Sequence, residues 1–544
     1  MKHPYLLLAA GVLFAADLAT EGRLWWSHIR FLADDKLEGR NVGTEGLNQA
    51  AAYVAGQFDR LGLKPAGTSG YLQPIRFQTQ QLAPEASKLA LIREGQEEPL
   101  VLGQDASLSS RGELDGSLDA AMVFIGYGMS IPEAQWDDLA GLDLHGKIAV
   151  YVNAPAPAKA SNNVKSHFSS GVERWAAVKK AGAIGIATLP NPRPPAGTPA
   201  ADQANTNGAP GRGTNNGAGR GSGFAVQPTV NLADPALQEI AGLSVSVTIT
   251  RRGAEKFLAG SGHTFDELEQ LVKDNQPLPR FPLAGTLRAR AALERGTLEA
   301  SNVVALLPGS DGRLKDEYVV LSAHLDHVGI GRPVNGDNIY NGAMDDASGI
   351  ASMIEIARHL KNSRAKIKRS IVFVAVTAEE KGELGSRYFA AHPTVPARQI
   401  VADINLDMFL PLYPLRVIEV QGLTESTLGD QVRAAAKELG VDVQTDREPE
   451  QNRFIRSDQY SFIRNGVPAL AFKFGYEAGS SDEKIRRDWV RDRYHKPSDD
   501  LSQPVDLEAA AKFDRVIMGL LQRVANDPAR PRWNDDSFFK RFAK

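Results

Sequence analysis

The feature that most restricts the fold of this chain is a series of apolar, β-branched runs that alternate with helical segments, three of them leading into acidic or imidazole groups. Asn302–Leu307, Glu317–Ala323, Ser370–Val376, Gln399–Leu406 and Ala469–Phe474 are apolar over most of their length instead of alternating with polar residues. Strands buried on both faces have this texture, so the pattern predicts an α/β fold whose sheet is covered by helices on each side. Between the runs, Ser348–Asn362 carries Ile350, Met353, Ile354, Ala357 and Leu360 on one face of a predicted helix. Gln431–Leu439 and Leu507–Val524 have the same period.

The first half of the chain reads differently. Leu24–Leu63 is helical in pattern, with Trp25, Ile29, Phe31 and Leu32 and then Ala51, Val54, Phe58 and Leu61, interrupted by the loop Glu38–Gly46. Strand-like Lys88–Arg93, Ala121–Gly126 and Lys147–Val152 precede a helix-like Val172–Ala181 and the apolar Ala183–Thr188, which together predict a smaller α/β module. Pro190–Gly223 is rich in Pro, Gly, Asn and Ala, and a disordered surface loop is expected there. Its glycines 217, 219 and 221 lack the flanking strand and helix of a phosphate loop. Lys2 and His3 followed by apolar Tyr5–Ala16 read as a secretory signal peptide, processed around Ala15–Ala19 and too short to span a bilayer. The expected partition is 1–19 signal peptide, 20–76 first part of the main domain, 77–282 inserted module with its loop at about 190–223, 283–530 main domain, and 531–544 C-terminal tail. The expected location is periplasmic or extracellular, with no membrane attachment after processing.

Composition narrows the chemistry. With 62 basic and 65 acidic residues, a net charge of −3 argues against a nucleic-acid or anionic-membrane partner. Cysteine is absent, so disulfides, thiol nucleophiles and thiolate-held metals are excluded, and any metal falls to His, Asp and Glu. No Gly-x-Ser-x-Gly elbow follows a strand, which sets a serine hydrolase aside.

Three of the apolar runs end on groups that bind cations or move protons. Val319–Ala323 leads into His324-Leu325-Asp326, Ile371–Val376 into Thr377-Ala378-Glu379-Glu380, and Ile400–Leu406 into Asp407. In open α/β sheets ligands bind outside the carboxyl ends of the strands, where groups distant in sequence converge. The loop Gly342–Gly349 adds Asp345 and Asp346, and Tyr494-His495 lies in a turn-rich segment reaching Asp500. Each has an ordinary explanation when taken singly: Asp346 or Ser348 as a helix N-cap, paired glutamates as a solvated face, a lone histidine as a core or surface residue. Carboxylates directly after buried strands are another matter, because burying their charge is costly unless a cation offsets it. With one imidazole per metal and carboxylates filling the remaining positions, this donor set suits two Zn²⁺ ions.

The ordered series His324-x-Asp326, Asn341-Gly342-Ala343-x-Asp345-Asp346-x-Ser348-Gly349, Glu379-Glu380, Asn405-Leu406-Asp407-Met408 and His495 resembles the co-catalytic zinc aminopeptidases of clan MH, which include the glutamate carboxypeptidases. Ser27–Leu63, with His28–Ala33 and Leu37–Arg40, resembles the N-terminal piece of the same domain. The stretch from about Ala121 to Pro190 is similar to an inserted protease-associated domain. The resemblance implies a three-layer α/β/α zinc-peptidase domain around a mixed, mostly parallel sheet, with the smaller α/β domain inserted. It implies that His324 and Asp407 hold one metal, Glu380 and His495 the other, and that Asp345 bridges them. Glu379 would be the general base, adjacent to Glu380 in an extended stretch that points the two side chains apart. Asp326 would accept the second ring N–H of His324. A cis peptide is implied between Asp345 and Asp346.

The series departs from its relatives in places. Ser457-Asp458-Gln459 stands where many carry Ser-Asp-His, and Phe454 lies near the position of an oxyanion-stabilising tyrosine in some. Tyr494 takes that role in the present reading. His327 has no role in the resemblance and is read as structural or solvent-facing. Peptides are the expected partners, and attack on the amino end is favoured. A glutamate-carboxypeptidase-type activity is the alternative, for which Arg453, Arg456 or Lys473 would have to anchor a terminal carboxylate. A glutaminyl cyclase needs one zinc and not all five ligands. A receptor-like protein that has lost its metal is disfavoured by the intact series. No motif speaks to side-chain preference or oligomeric state.

Overall fold

The computed structural model of the protein describes residues 4–192, 228–363 and 366–544, so most of the low-complexity stretch 190–223, with its three glycines, lies outside the described residues. The chain forms two compact units. One comprises Met1–Ile75, Glu299–Pro449 and Arg456–Lys544, and the other Arg76–Leu298 with Glu450–Ile455.

In the first unit a large mixed sheet runs in the order Leu293–Leu307, Ser370–Val376, Tyr318–His324, Ile400–Asn405, Ala469–Phe474, Val417–Gln421, Asp442–Thr445. Ser370–Val376, Tyr318–His324, Ile400–Asn405 and Ala469–Phe474 are mutually parallel neighbours. Leu293–Leu307 and Val417–Gln421 pair antiparallel at either side of them. Alternation along a strand explains the two covering layers. Val372, Val374 and Val376 pack with Phe389 and Phe462, which belong to helices Leu384–Ala391 and Gln459–Arg464. Phe373, one residue out of step, meets Phe58 of helix Glu45–Arg60 at 5.9 Å between rings. The expected α/β architecture with a mixed sheet is the one observed; its central four strands are parallel, and antiparallel pairings flank them.

Helices fall close to their predicted bounds: Ser348–Asn362 as read, Leu428–Glu438 and Leu507–Asn526 within a few residues. The N-terminal helix runs without interruption from Pro4 to Leu32, through the region read as a processing site. Its later turns belong to the unit. Leu18 and Trp25 are buried, Trp25 Nε1 donates to Ser352 Oγ at 2.9 Å, and Arg515 bonds Glu21 at 2.9 Å. No helix among the described residues is long and apolar enough to cross a membrane. The segment read as a tail packs down, with Trp533 and Phe539 buried and Trp533 Nε1 donating to Gly466 O at 3.2 Å.

The second unit has its own eight-stranded sheet, ordered Gln96–Leu100, Lys88–Arg93, Phe281–Ala291, Gly116–Phe124, Ile148–Val152, Gly185–Leu189, Val245–Ile249, Ala106–Leu108. Helix Gly171–Lys180 follows Ile148–Val152 and precedes Gly185–Leu189, the strand–helix–strand order read from the sequence. Trp175 and Val178 of that helix pack on Ala149, Tyr151 and Ile186. Strand Phe281–Ala291 belongs to this sheet, and the compact unit runs on to Leu298, beyond the expected boundary at 282.

Candidate metal centre

Parallel strands deliver their carboxyl ends to one edge of the sheet, and bonding between the strands continues past that edge. Leu406 N–H donates to Ser322 O and Leu325 N–H to Val376 O, each at 2.8 Å. His324, the last residue of its strand, is thereby brought beside Asp407, with Nε2 3.8 Å from Asp407 Oδ1.

The loop ahead of helix Ser348–Asn362 is held by two buried carboxylates and one buried arginine. Asp346 accepts backbone N–H bonds from His324 at 3.2 Å, Gly349 at 2.9 Å and Met408 at 3.1 Å, so one side chain ties three segments. Asp499 accepts from the Met344 and Asp345 N–H groups at 2.9 and 3.1 Å. The peptide between Asp345 and Asp346 is cis. Arg40 donates from Nε to Leu325 O at 2.9 Å, from Nη1 to Leu32 O and to Asn341 O at 2.7 Å, and from Nη2 to Gly342 O at 3.0 Å. Burial pushes its pKa down to about 10, against the pull of Asp326 and Asp499, which leaves it charged at neutral pH.

Asp345 sits at the middle of the arrangement. Its Oδ1 is 3.1 Å from His324 Nε2, and its Oδ2 is 3.1 Å from His495 Nε2. His495 Nε2 is also 3.1 Å from Glu380 Oε1. Two groups with atoms close enough to share a cation result: His324, Asp345 and Asp407, and His327, Asp345 and Glu380. Donors on one tetrahedral zinc, bound at about 2.0–2.1 Å, stand about 3.3 Å apart, so these spacings are those of a ligand cage. Glu380 Oε1 is buried with no hydrogen-bond partner among the described residues, as a carboxylate oxygen kept for a cation would be. The residues fit the metal.

Charge follows the same logic. Burial works against a charged His324, yet Asp345 and Asp407 outweigh it and hold its pKa well above the ordinary value. Burial likewise penalises Asp345, but His324 and His495 hold it well below the usual carboxylate range. Asp345 therefore stays ionised, and a metal bound here would displace the proton that His324 holds.

Several expectations change in detail. His324 Nδ1 is 3.0 Å from the Asp326 backbone carbonyl, while the Asp326 carboxylate accepts the N–H groups of Glu379 at 3.0 Å and Glu380 at 3.3 Å. Asp326 therefore orients the glutamate loop. Glu379 and Glu380 do not lie in an extended stretch. Ala378, at φ 56°, turns the chain at the strand end, and Glu379 O then accepts N–H bonds from Gly382 and Glu383 at 2.8 Å. His327 is fully buried beside Glu380 instead of facing solvent. Lys473 is spoken for by the carbonyls of Asp407 at 2.6 Å and Met408 at 3.0 Å. Gln459 Oε1 accepts from Asn405 Nδ2 at 2.8 Å, which keeps it structural. Tyr494 stacks its ring on His495, with centroids 4.1 Å apart. Ser457, Asp499 and Arg40 were not singled out as site residues, because a serine in a loop or a distant arginine carries no periodic signal.

Residues 302–521, which hold all of these groups except Arg40, match the family model for peptidase family M28. Over this region the chain is similar to peptidase family M28. Probable leucine aminopeptidase 2 of Aspergillus fumigatus is 31% identical over 227 residues, covering 40% of this chain and 42% of that protein. Aminopeptidase Y of Saccharomyces cerevisiae is 29% identical over 38% of this chain and 35% of its own length. The chain thus spans less than half the length of these curated relatives. The solved aminopeptidase from Aneurinibacillus sp. strain AM-1 has the same overall fold, with a TM-score of 0.52 at 18% identity over 94% of this chain and 98% of that one.

Proposed function

We propose that the protein is an exported aminopeptidase that uses two zinc ions, one held by His324, Asp407 and Asp345 and the other by Glu380, His495 and Asp345. The observation that carries this reading is the orientation of Asp345, whose two carboxylate oxygens each lie 3.1 Å from a different imidazole. A carboxylate serving a single cation has no need of such an arrangement, whereas one bridging two does. When bound, the pair of metals acidifies water and polarises the scissile carbonyl.

The chain supplies the rest. Glu379, fixed at its backbone by Asp326 and 3% exposed, is the base that takes a proton from water and returns it to the departing amine. Tyr494, packed on His495, offers its hydroxyl to the carbonyl oxygen as negative charge develops there. A cavity of 730 Å³ lined by Leu412, Trp489, Arg493 and Lys496 adjoins the His495 turn and has room for a substrate side chain. Attack at the amino end is supported by the aminopeptidase names of the relatives. The engagement of Lys473 with two backbone carbonyls removes one of the groups that a carboxypeptidase would need. The second unit remains our candidate for a protease-associated domain, on its position in the chain and its strand–helix–strand core.

Purified protein assayed on aminoacyl-nitroanilides should lose activity on dialysis against chelator and regain it with zinc. Glu379→Gln should lower kcat by roughly 10²–10⁴-fold while both metals stay bound. Full activity of that variant would overturn the assignment. Release of residues from the carboxyl end of a mixed peptide library, read by mass, would overturn the direction of attack.

A further inference from the structure

The metal centre holds one imidazole that the proposed two-metal reading does not use. His327 is fully buried, and neither ring nitrogen has a hydrogen-bond partner among the described residues. A buried imidazole with both nitrogens unsatisfied is costly, and such groups are rare without a ligand. Its Nδ1 lies 3.0 Å from Glu380 Oε1, yet the contact lacks the alignment of a hydrogen bond. Two atoms that close, neither aimed at the other, are what two donors directed at a common point look like. His495 Nε2 approaches the same Glu380 oxygen at 3.1 Å from another direction, and the two imidazoles cross edge-to-face with centroids 5.7 Å apart.

The placement of His327 is enforced. Its backbone N–H donates to Arg40 O at 3.2 Å. Gly342 lies against the ring with φ 62°, so close that a Cβ there would stand 2.5 Å from His327 Cγ. The ring therefore packs directly against Gly342, on the side of the cage that holds Glu380.

We propose that His327 is a ligand of the second metal, completing with Asp345, Glu380 and His495 a four-residue set that contains two imidazoles. The first metal, with His324, Asp407 and Asp345, has one. The inference rests on the two-metal reading and gives the centre an asymmetry. The second position has the more nitrogen-rich donors, which favour zinc over magnesium or calcium. It should therefore be the tighter of the two.

Zinc titration of metal-free protein followed by calorimetry, together with metal analysis after dialysis, tests the assignment without relying on activity. Wild-type protein should take up two zincs of unequal affinity. His327→Ala should weaken the tighter site at least 10–100-fold and leave the other unchanged. His327→Asn keeps an amide donor near the position of Nδ1 but is a poor zinc ligand, so it should behave like the alanine variant. If the asparagine variant keeps wild-type affinity, His327 only positions Glu380 and the proposal fails. Should these variants not fold, X-ray absorption on wild-type protein decides. Three imidazoles shared by two zincs average one and a half per metal, against one per metal if His327 stands aside. Two zincs with one imidazole each would overturn the His327 assignment alone, and uptake of a single zinc would overturn the two-metal reading beneath it.

Discussion

The Ser457 hydroxyl donates a 2.6 Å hydrogen bond to Asp407 Oδ2, which turns Oδ1 of the same carboxylate towards His324. Ser457 is itself held by Asn405, whose Nδ2 donates to Ser457 Oγ at 3.2 Å. Groups that orient a ligand in this way commonly account for 10–100-fold in metal affinity. Ser457→Ala should lower zinc affinity by about 10-fold and restore near-normal kcat at saturating zinc. Ser457→Thr, which keeps the hydroxyl, should stay close to wild type. Zinc titrations of the three proteins provide the comparison, and equal affinities in all three would remove Ser457 from the centre.

Arg40 joins the N-terminal segment to both metal-bearing loops by donating to the carbonyls of Leu32, Leu325, Asn341 and Gly342. Removing it leaves buried carbonyls unpaired at about 1–3 kcal/mol each. Arg40→Met should therefore destabilise the metal-free protein by more than about 3 kcal/mol. Arg40→Lys, with a point charge instead of a planar fork, should recover part of the loss but not all of it. Denaturant unfolding in the presence of chelator measures both. A loss under 1 kcal/mol for Arg40→Met would show that water or backbone adjustment satisfies these carbonyls.

In the second unit, burial pushes the Asp138 carboxyl up to about 6, although the Met129 N–H opposes the shift by donating to it at 3.1 Å. A carboxyl with a raised folded-state pKa binds its proton more tightly folded than unfolded. The associated stability is full below about pH 4 and is lost as pH rises through about 6, a swing on the order of 3 kcal/mol. Asp138→Asn has no proton to lose. Its melting temperature relative to wild type should rise between pH 4 and pH 7, and parallel curves for the two proteins across that range would refute the assignment.

Legibility in the sequence varied with how local the cause was. Ser348–Asn362 was readable to the residue because its apolar spacing answers to the helical period alone. Phe281–Ala291 has strand texture that suits either sheet, and only its partners Lys88–Arg93 and Gly116–Phe124 assign it to the smaller one, so the compact unit reaches Leu298. The segment after 531 read as a tail because Trp533 and Phe539 lie in a short polar stretch, and their burial depends on a surface formed elsewhere.

By itself the sequence determined the residue types at the centre and their order along the chain: imidazoles and carboxylates at the ends of buried strands, with no cysteine to compete. Those features follow from strand and helix periodicity and from the cost of burying charge. The tertiary structure alone decided which atoms face one another. It directs the two oxygens of Asp345 to different histidines, packs His327 against Gly342, turns the Asp326 carboxylate to the glutamate loop and brings Arg40 to four carbonyls. Such relationships span hundreds of residues and depend on strand order, register and loop turns, for which the local pattern of a chain has no period to read.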